Sequence, residues 1–222
     1  MGIFDRYRRP DDLPQRIPVF PLAGVLLLPR ADLPLNIFEP RYLAMVEHAL
    51  AGDKLIGMIQ PLAEDERADS PSLMRVGCVG RITSWAETPD DRMLLTLTGV
   101  SRFMIVDELD ADTPFRQVIA NYHPFAVDLA TGAGEAKVNR PALLKVFRDY
   151  LDANNMSADW KEVDSAPTEV LVNTLSLLAP YPPQEKQALL EAPDLKTRAD
   201  VLVALTEMAL GKTGKGTKPR LQ

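Results

Sequence analysis

The sequence predicts an α+β protein in which a small β-barrel with one inserted helix is followed by an α-helical bundle. Short apolar runs bounded by Pro and Gly fill roughly the first 125 residues, and helical spacing of apolar residues fills most of the rest. Between them the chain turns to the small-residue string LATGAGE at 129–135. With 222 residues, the chain is long enough to bury two modest cores.

These observations divide the chain into five parts. We expect a flexible N-terminus at 1–13, a β-barrel domain at 14–127, a linker at 128–135, a helical bundle at 136–210 and a disordered basic tail at 211–222. The tail, with four basic and no acidic residues, holds too little apolar surface to order itself.

Strand signals recur along the barrel domain. Candidate strands cover residues 16–20, 25–28, 54–60, 76–85, 93–98, 102–106 and 117–122. The turn sequence TPDD at 88–91 predicts a hairpin between two of them. Six or seven short strands favour a small closed or half-closed barrel.

One helix is predicted inside the barrel domain. Pro40 suits a first helical position, Glu39 places negative charge at the positive end of the helix dipole, and Gly52 follows the last turn. The apolar positions of this helix are Leu43, Val46 and Leu50. We expect that face to cover an open part of the barrel.

Four helices are predicted in the second half, at 141–151, 168–178, 183–192 and 195–210. Pro141 and Pro183 suit first-turn positions, and Asp194 suits an N-cap. The inward stripe of the last helix comprises Leu195, Leu202, Leu205 and Ala209. Short connections between four helices favour a compact bundle.

Composition excludes several classes of protein. The single cysteine, Cys78, has no partner for an intramolecular disulfide, and Pro and Arg residues cut the longest apolar run far short of a membrane span. The first 14 residues do not resemble a signal peptide, so we expect a cytoplasmic protein without membrane association. Residues 14–127 carry 10 basic and 15 acidic side chains, and residues 128–210 carry 8 and 13. This acidic balance argues against nucleic-acid partners.

Catalytic and metal-binding patterns are missing from the sequence. The two histidines, His48 and His123, are not spaced as a metal site, and the sequence has no GxSxG nucleophile motif. GKTGKGT at 211–217 does not satisfy the spacing of a phosphate-binding loop. Cys78 lies among small apolar residues, so we expect a buried structural thiol. We therefore predict no catalytic residue, no cofactor and no metal.

Three stretches together resemble the amino-terminal, substrate-binding domain of the Lon ATP-dependent proteases. The most specific is IPVFPLAGVLLLPRADLPLNIFEPRYLAMVEHAL at 17–50. GCVGRI at 77–82 with LTGVSRFMI at 97–105 is similar to paired strands of that family, and EKQALLEAPDLKTRADVLVALTEM at 185–208 is similar to its final helices. The resemblance covers roughly residues 14–210.

This resemblance implies a PUA-like β-barrel followed by an α-helical bundle. The 222 residues hold neither the ATPase module nor the Ser–Lys protease domain of full Lon proteases, so we expect a stand-alone, non-enzymatic member of the family. Two positions depart from the family pattern: Arg30 stands where the family usually has Gly, and Asn36 where many members have His.

The candidate polypeptide-binding residues come from the IFEPRY string and from the paired strands: Phe38, Glu39, Arg41, Tyr42, Trp85 and Arg102. An aromatic, an acid and a base in front of a barrel are suited to line a groove for an extended peptide. In the structural alternative, Phe38 anchors its loop in the core, Glu39 is a helix-start charge and Arg41 pairs with a carboxylate across the barrel. Trp85 and Arg102 are either groove residues or ordinary cross-strand packing.

We predict a non-catalytic module that binds unfolded or extended polypeptide segments, or a protein partner, in proteolysis or protein quality control. Backbone hydrogen bonds to an added strand and weakly selective apolar pockets would supply the affinity. One alternative is nucleic-acid or small-ligand binding through the PUA-like barrel, and another is a peptidase or ATPase, which the missing motifs disfavour.

Overall fold

The computed structural model describes residues 6–62 and 71–213 of the chain. The first half of the chain forms strands β1 Arg16–Pro21, β2 Asp32–Ile37, β3 Leu55–Ile59, β4 Val76–Glu87, β5 Met93–Leu109 and β6 Arg116–Asn121, with helix α1 Pro40–Ala51 between β2 and β3. The second half forms helices α2 Arg140–Ala153, α3 Trp160–Ser165, α4 Thr168–Leu178, α5 Pro183–Glu191 and α6 Leu195–Thr213. Short 3₁₀ helices lie at Pro10–Asp12, His123–Leu129 and Glu135–Lys137. The predicted α+β class is confirmed.

The six strands form one mixed sheet with the order β2-β5-β4-β3-β1-β6. β5 also pairs with β6, so the pairings of β5, β4, β3, β1 and β6 return to their starting strand. The length of β5 makes this possible, because residues 93–98 pair with β2 while residues 104–109 pair with β6. β1 and β3 are parallel, and the other pairs are antiparallel. β2 thus lies beside this ring of strands rather than inside it.

The predicted strand at 25–28 is wrong, although its leucines are buried. This segment crosses β5 at Gly99: the Arg30 amide donates to Gly99 O (2.8 Å), and the Gly99 amide donates to Ala31 O (2.9 Å). A Cβ atom on Gly99 would lie 2.0 Å from Leu28 O, so only glycine allows the crossing. The same glycine joins the two predicted strands at 93–98 and 102–106 into one.

The strand that the prediction missed is β2, DLPLNI. Leu33, Leu35 and Ile37 alternate with more exposed residues, which is a period-two signal, but Pro34 interrupts it. Proline is tolerated here because β2 is an edge strand, where one row of backbone amides makes no ladder bond.

Helix α1 begins at Pro40 and ends before Gly52 as predicted, but its buried face is rotated. The buried residues are Tyr42, Met45, Val46 and Ala49 rather than the predicted set Leu43, Val46 and Leu50. Spacings of three and four residues place all four on one side of the helix. The prediction counted branched aliphatic residues and left out Tyr42 and Met45, whose larger side chains reach the core.

The predicted helical region is confirmed in its main helices. Asp194 caps α6 as expected, since its Oδ1 accepts a hydrogen bond from the Thr197 amide (2.8 Å). The short α3 was not predicted; Asp159 caps it, and its Trp160 ring lies 6.0 Å from the Phe147 ring. Apolar side chains of α2, α4, α5 and α6 share one buried cluster with the leucines of 26–28. The helices therefore pack directly on the sheet.

The described residues near both ends of the chain belong to the folded structure. Tyr7 and Leu13, within the segment that the sequence predicts to be flexible, are buried against the sheet. The predicted tail at 211–222 lies mostly outside the described residues, which end at Thr213 in α6. Across the described ranges, no helix combines the length and apolar character needed to cross a membrane.

Candidate functional site

A shallow depression of about 410 Å³ lies where β2, β5 and β4 run side by side. Leu94 of β5 pairs with Asn36 of β2 and with Ala86 of β4. Trp85 and Leu94 line this depression and are 50% and 47% exposed, respectively. Large apolar side chains are therefore exposed to solvent on two adjacent strands, β4 and β5.

The outer side of β2 adjoins the depression. β2 bonds to β5 along one side, and no other described strand pairs with it. Unpaired strand edges offer backbone donors and acceptors to an incoming extended chain. Pro34 removes one donor from β2, which limits how an added strand can pair.

Phe38 lies at the end of β2 and is 60% exposed, so the expectation that it anchors its loop in the core is wrong. Ile37, only 2% exposed, takes that place, because successive side chains of a strand point to opposite faces. The Arg92 guanidinium lies 5.7 Å from the Phe38 ring centroid. We call Phe38, Trp85 and Leu94 together the edge surface.

Glu39 and Arg41 pair with each other, with 2.9 Å between Arg41 Nη2 and Glu39 Oε2. The predicted pairing of Arg41 with a carboxylate across the barrel is therefore wrong. Glu39 occupies the N-cap position of α1, but its side chain caps no backbone amide. Both side chains are nearly half exposed, so this ion pair contributes little to stability.

Tyr42 is a core residue at the rim of a second depression. It is 8% exposed, its ring lies 4.3 Å from the Phe20 ring, and burial raises the pKa of its phenol. Tyr42, Arg41, Phe115 and Arg116 line a depression of about 290 Å³ together with several prolines. The candidate residues between 38 and 42 therefore do not form one site. Phe38 belongs to the edge surface, whereas Arg41 and Tyr42 line the second depression.

Arg102 is buried rather than part of a groove, with 1% of its surface exposed. Its Nε and backbone amide both donate to Asp128 Oδ2 (2.8 and 2.9 Å), and its Nη2 donates to Asp128 Oδ1 (2.7 Å). Its Nη1 donates to the backbone oxygens of Leu190 and Ala192 at the end of α5. This side chain therefore ties β5 to the helices.

Arg30 makes a second buried ion pair, with Glu169 of α4. Its Nη1 also donates to Asp128 O (2.6 Å), and Glu169 Oε2 accepts from the Gly132 amide. Arg30 has a positive φ of 63°, a conformation that glycine adopts at least cost. The Gly that the resemblance leads us to expect at this position would fit this backbone, whereas the Arg30 side chain makes the ion pair with Glu169.

Sequence reasoning missed most of this buried charge between sheet and helices. We call the five residues the seam: Arg30, Arg102, Asp128, Glu169 and Arg198. A signal was present, because Arg102 interrupts the apolar run LTGVSRFMI. A charged residue inside an apolar strand is rarely buried unless it is paired.

The thiol and the candidate metal ligands of the described residues can be compared with the sequence predictions. Cys78 is fully buried, as predicted, and burial raises the pKa of its thiol, which disfavours the reactive thiolate. Among those residues, no group of three or more His, Cys, Asp or Glu side chains is placed to hold a metal ion. The candidate site thus consists of exposed apolar side chains beside the open edge of β2.

Residues 16–207 match the family described as the ATP-dependent protease La (LON) substrate-binding domain. Lon protease 2 of Myxococcus xanthus is 28% identical over 88% of this chain, and Lon protease of Dictyoglomus thermophilum is 25% identical over 84%. In each case the match covers 24% of the relative, so the chain spans about a quarter of those proteins.

Two solved structures share the fold. The Lon N-terminal domain protein from Xanthomonas campestris superposes with a TM-score of 0.60 at 21% identity, covering 85% of this chain and 97% of that one. The N-terminal domain of Mycobacterium avium complex Lon protease gives 0.59 at 16%, covering 86% and 98%. The sheet order, the packed helices and the match over 192 consecutive positions lead to one conclusion: this chain belongs to the Lon substrate-binding domain family.

Proposed function

We propose that this domain recognises extended or unfolded segments of polypeptide at the edge surface and performs no chemistry on them. The observation that carries the proposal is the exposure of Phe38, Trp85 and Leu94 beside the open edge of β2. A partner that covers exposed apolar side chains removes them from water, which lowers the free energy of the complex. Aromatic residues are common anchors of binding.

The mode of recognition that we propose is strand addition to β2. The closed ring of strands, which we interpret as a PUA-like barrel, would hold β2 in place without rearrangement on binding. Backbone hydrogen bonds would supply affinity for any extended segment, and the depression at Trp85 would favour apolar side chains. Such a surface suits a substrate-recognition step in proteolysis or protein quality control.

The charge of the domain narrows the class of partner. Residues 14–127 and 128–210 are both net acidic, which opposes binding of nucleic acid and favours polypeptide segments that are neutral or basic. Recognition through apolar contacts would also be tolerant of salt, since screening acts on charges and not on buried apolar area.

The test is a titration of a fluorescently labelled, permanently unfolded polypeptide, followed by anisotropy at two salt concentrations. We expect saturable binding that changes little with salt, and a loss of affinity of about fivefold or more in Trp85→Ala, corresponding to about 1 kcal/mol. The matched control is Val106→Ser, which alters an apolar residue of β5 that is also at least half exposed but lies outside the depression.

Two outcomes would contradict the proposal. Absence of saturable binding would remove the polypeptide-recognition role, and equal loss in Trp85→Ala and Val106→Ser would show that the edge surface is not the site. Binding to RNA that weakens steeply with salt would favour the nucleic-acid alternative instead.

A further inference from the structure

A cavity of about 140 Å³ lies between the sheet and the helices, beside the seam. Arg102 and Arg198 line its buried part, and Lys137, Asp194 and Lys196 are exposed residues of its lining. The cavity is therefore polar and charged, in contrast to the edge surface.

The buried charges around this cavity do not balance. Three guanidinium groups, of Arg30, Arg102 and Arg198, face two carboxylates, of Asp128 and Glu169. Asp128 is engaged by Arg102 through both of its oxygens, and Glu169 by Arg30 and a backbone amide. Arg198 therefore has no carboxylate partner within the seam.

Arg198 shows this lack of a partner directly. It is 3% exposed; its Nε donates to Leu189 O (2.9 Å) and its Nη1 to Asn173 Oδ1 (3.0 Å), both neutral acceptors. Its Nη2 is buried and has no hydrogen-bond partner among the described residues. Burial, with Arg102 as the next cause, lowers the pKa of this guanidinium to about 10, so it still carries its charge at neutral pH.

A buried charged donor without a partner is costly, and an anion would remove that cost. Leaving one donor of a buried charged group unsatisfied costs more than leaving a neutral group unsatisfied. The lining of the cavity carries five basic and three acidic side chains: Arg30, Arg102, Lys137, Lys196 and Arg198 against Asp128, Glu169 and Asp194. Asp194 opposes an anion, but one of its oxygens already accepts from the Thr197 amide.

We propose that this cavity binds a small oxyanion, a phosphate or carboxylate group, one oxygen of which accepts a hydrogen bond from Arg198 Nη2. Its volume suits a group of that size, and Lys137 and Lys196 supply further positive charge at the exposed part of the lining. Guanidinium groups bind such planar or tetrahedral oxyanions through charge-assisted hydrogen bonds. The site is separate from the edge surface, and the inference does not depend on the proposed function.

The test uses thermal unfolding and titration calorimetry with inorganic phosphate, with sodium chloride at equal ionic strength as the reference. We expect phosphate to raise the melting temperature saturably, because a ligand that binds the folded state stabilises it. Lys196→Gln should weaken phosphate binding several-fold. The matched control is Lys145→Gln, since both lysines form an exposed pair with an aspartate four residues later but only Lys196 lines the cavity.

Arg198→Gln should abolish the response to phosphate. Since that variant alters a buried residue and can fail to fold, the comparison of Lys196→Gln with Lys145→Gln carries the test without it. An identical response to phosphate and chloride would overturn the proposal and indicate that water alone serves Nη2. Equal weakening in the two lysine variants would overturn it as well.

Two further measurements identify the source of the oxyanion and test the oxyanion site independently of polypeptide binding at the edge surface. If a peptide with a free C-terminal carboxylate displaces phosphate in the titration, the group is carried on a polypeptide; if it does not, the site takes free phosphate. Trp85→Ala should leave the phosphate response unchanged, so loss of polypeptide binding at the edge surface would not affect this result.

Discussion

The edge surface and the seam invert the usual distribution of polarity. At the seam, charged side chains are buried, Arg102 to 1% exposure; at the edge surface, Phe38 and Trp85 are at least half exposed. A buried charge is costly unless it is paired, so the ion pairs of Arg102 and Arg30 depend on precise geometry. An exposed apolar residue costs little in the free protein but contributes free energy when a partner covers it.

From this contrast we infer different roles for the two regions. The seam joins β5 to α5 through Arg102 and the 26–31 segment to α4 through Arg30, by hydrogen bonds between residues far apart in sequence, and so specifies how the helices pack on the sheet. The edge surface, in contrast, is exposed and is where we propose that polypeptide binds. Substitutions at the seam should therefore change stability, whereas substitutions at the edge surface should change binding.

Arg102→Met tests the seam and should have the largest effect. It removes the ion pair and the two hydrogen bonds that the Arg102 side chain donates to the buried Asp128 carboxylate, leaving only the bond from the backbone amide, which should lower the free energy of unfolding by about 3–5 kcal/mol. Urea unfolding followed by circular dichroism measures this. Replacing both partners, as Arg102→Met with Asp128→Leu, should recover much of the loss, because neither charge of that pair is then buried without the other.

The control for that variant is Arg41→Met, which removes an arginine from the exposed pair with Glu39. Its cost should stay below about 1 kcal/mol, the range of surface ion pairs. If Arg102→Met cost no more than Arg41→Met, the contrast between buried and exposed charge would fail for this protein.

Gly99→Ala should have the second largest effect. The new Cβ would lie 2.0 Å from Leu28 O, a backbone atom, so the crossing of 26–31 over β5 would have to move. That crossing positions Pro29 and Arg30 at the seam, where Pro29 O accepts from Asn173 Nδ2. We expect a loss of about 3 kcal/mol in the same unfolding measurement, in the upper range for overpacking.

Gly211→Ala is the matched glycine control. It lies in α6 with nothing within 4 Å of a new Cβ, so it should not destabilise the protein and should gain up to about 1 kcal/mol from helix propensity. A similar loss in both glycine variants would contradict the steric argument at Gly99.

Local patterns were enough to predict most elements of the fold. Proline and Asp194 at helix starts and apolar spacing identified the four main helices, and short β-type runs identified most strands. The failures came from contacts that no local pattern reports. Residues 25–28 are apolar enough for a strand, but they cross β5 at Gly99 instead; β2 alternates, but Pro34 conceals it.

The candidate site could be predicted only in part, for the same reason. Trp85 was predicted to be either a groove residue or cross-strand packing, and it is half exposed; the exposure of Phe38 follows from the strand β2, which the prediction missed. Arg102 bonds to Asp128, 26 residues away, and to Leu190, 88 residues away. Such pairs depend on tertiary packing, and a single sequence contains no direct record of them.

Asp194→Ala tests the start of α6, the helix that carries Arg198 of the seam, and should have a smaller effect on stability. It removes the N-cap of α6, which should cost about 1 kcal/mol at neutral pH. The hydrogen bond from the Thr197 amide lowers the pKa of Asp194 in the folded state. The carboxylate of Asp194 therefore contributes fully to stability above its pKa in the unfolded chain, roughly 4. That contribution is lost as the pH falls through its lower pKa in the folded state.

The measurement for Asp194→Ala is urea unfolding of both proteins between pH 7 and pH 3. The difference in unfolding free energy should shrink towards acid. Asp149→Ala, which breaks the exposed pair with Lys145, should cost less than about 0.5 kcal/mol throughout. A difference for Asp194→Ala that grows as the pH falls would have the wrong sign for a cap acting through its carboxylate.

Leu94→Ser should change stability least and separate the two regions most clearly. Leu94 is 47% exposed, so the variant should alter the free energy of unfolding by only about 0.5 kcal/mol. At the edge surface the same change removes apolar contact area from the proposed site and should weaken polypeptide binding about fivefold, measured by anisotropy on protein of verified stability. Val106→Ser on the same strand should change the free energy of unfolding equally little and leave the affinity for polypeptide unchanged.

Arg102→Met, where it remains folded, should show the reverse: a large loss of stability with affinity retained. If Leu94→Ser and Arg102→Met each lowered both stability and affinity, binding at the edge surface would depend on the packing of the helices on the sheet. The two regions would then form one functional unit.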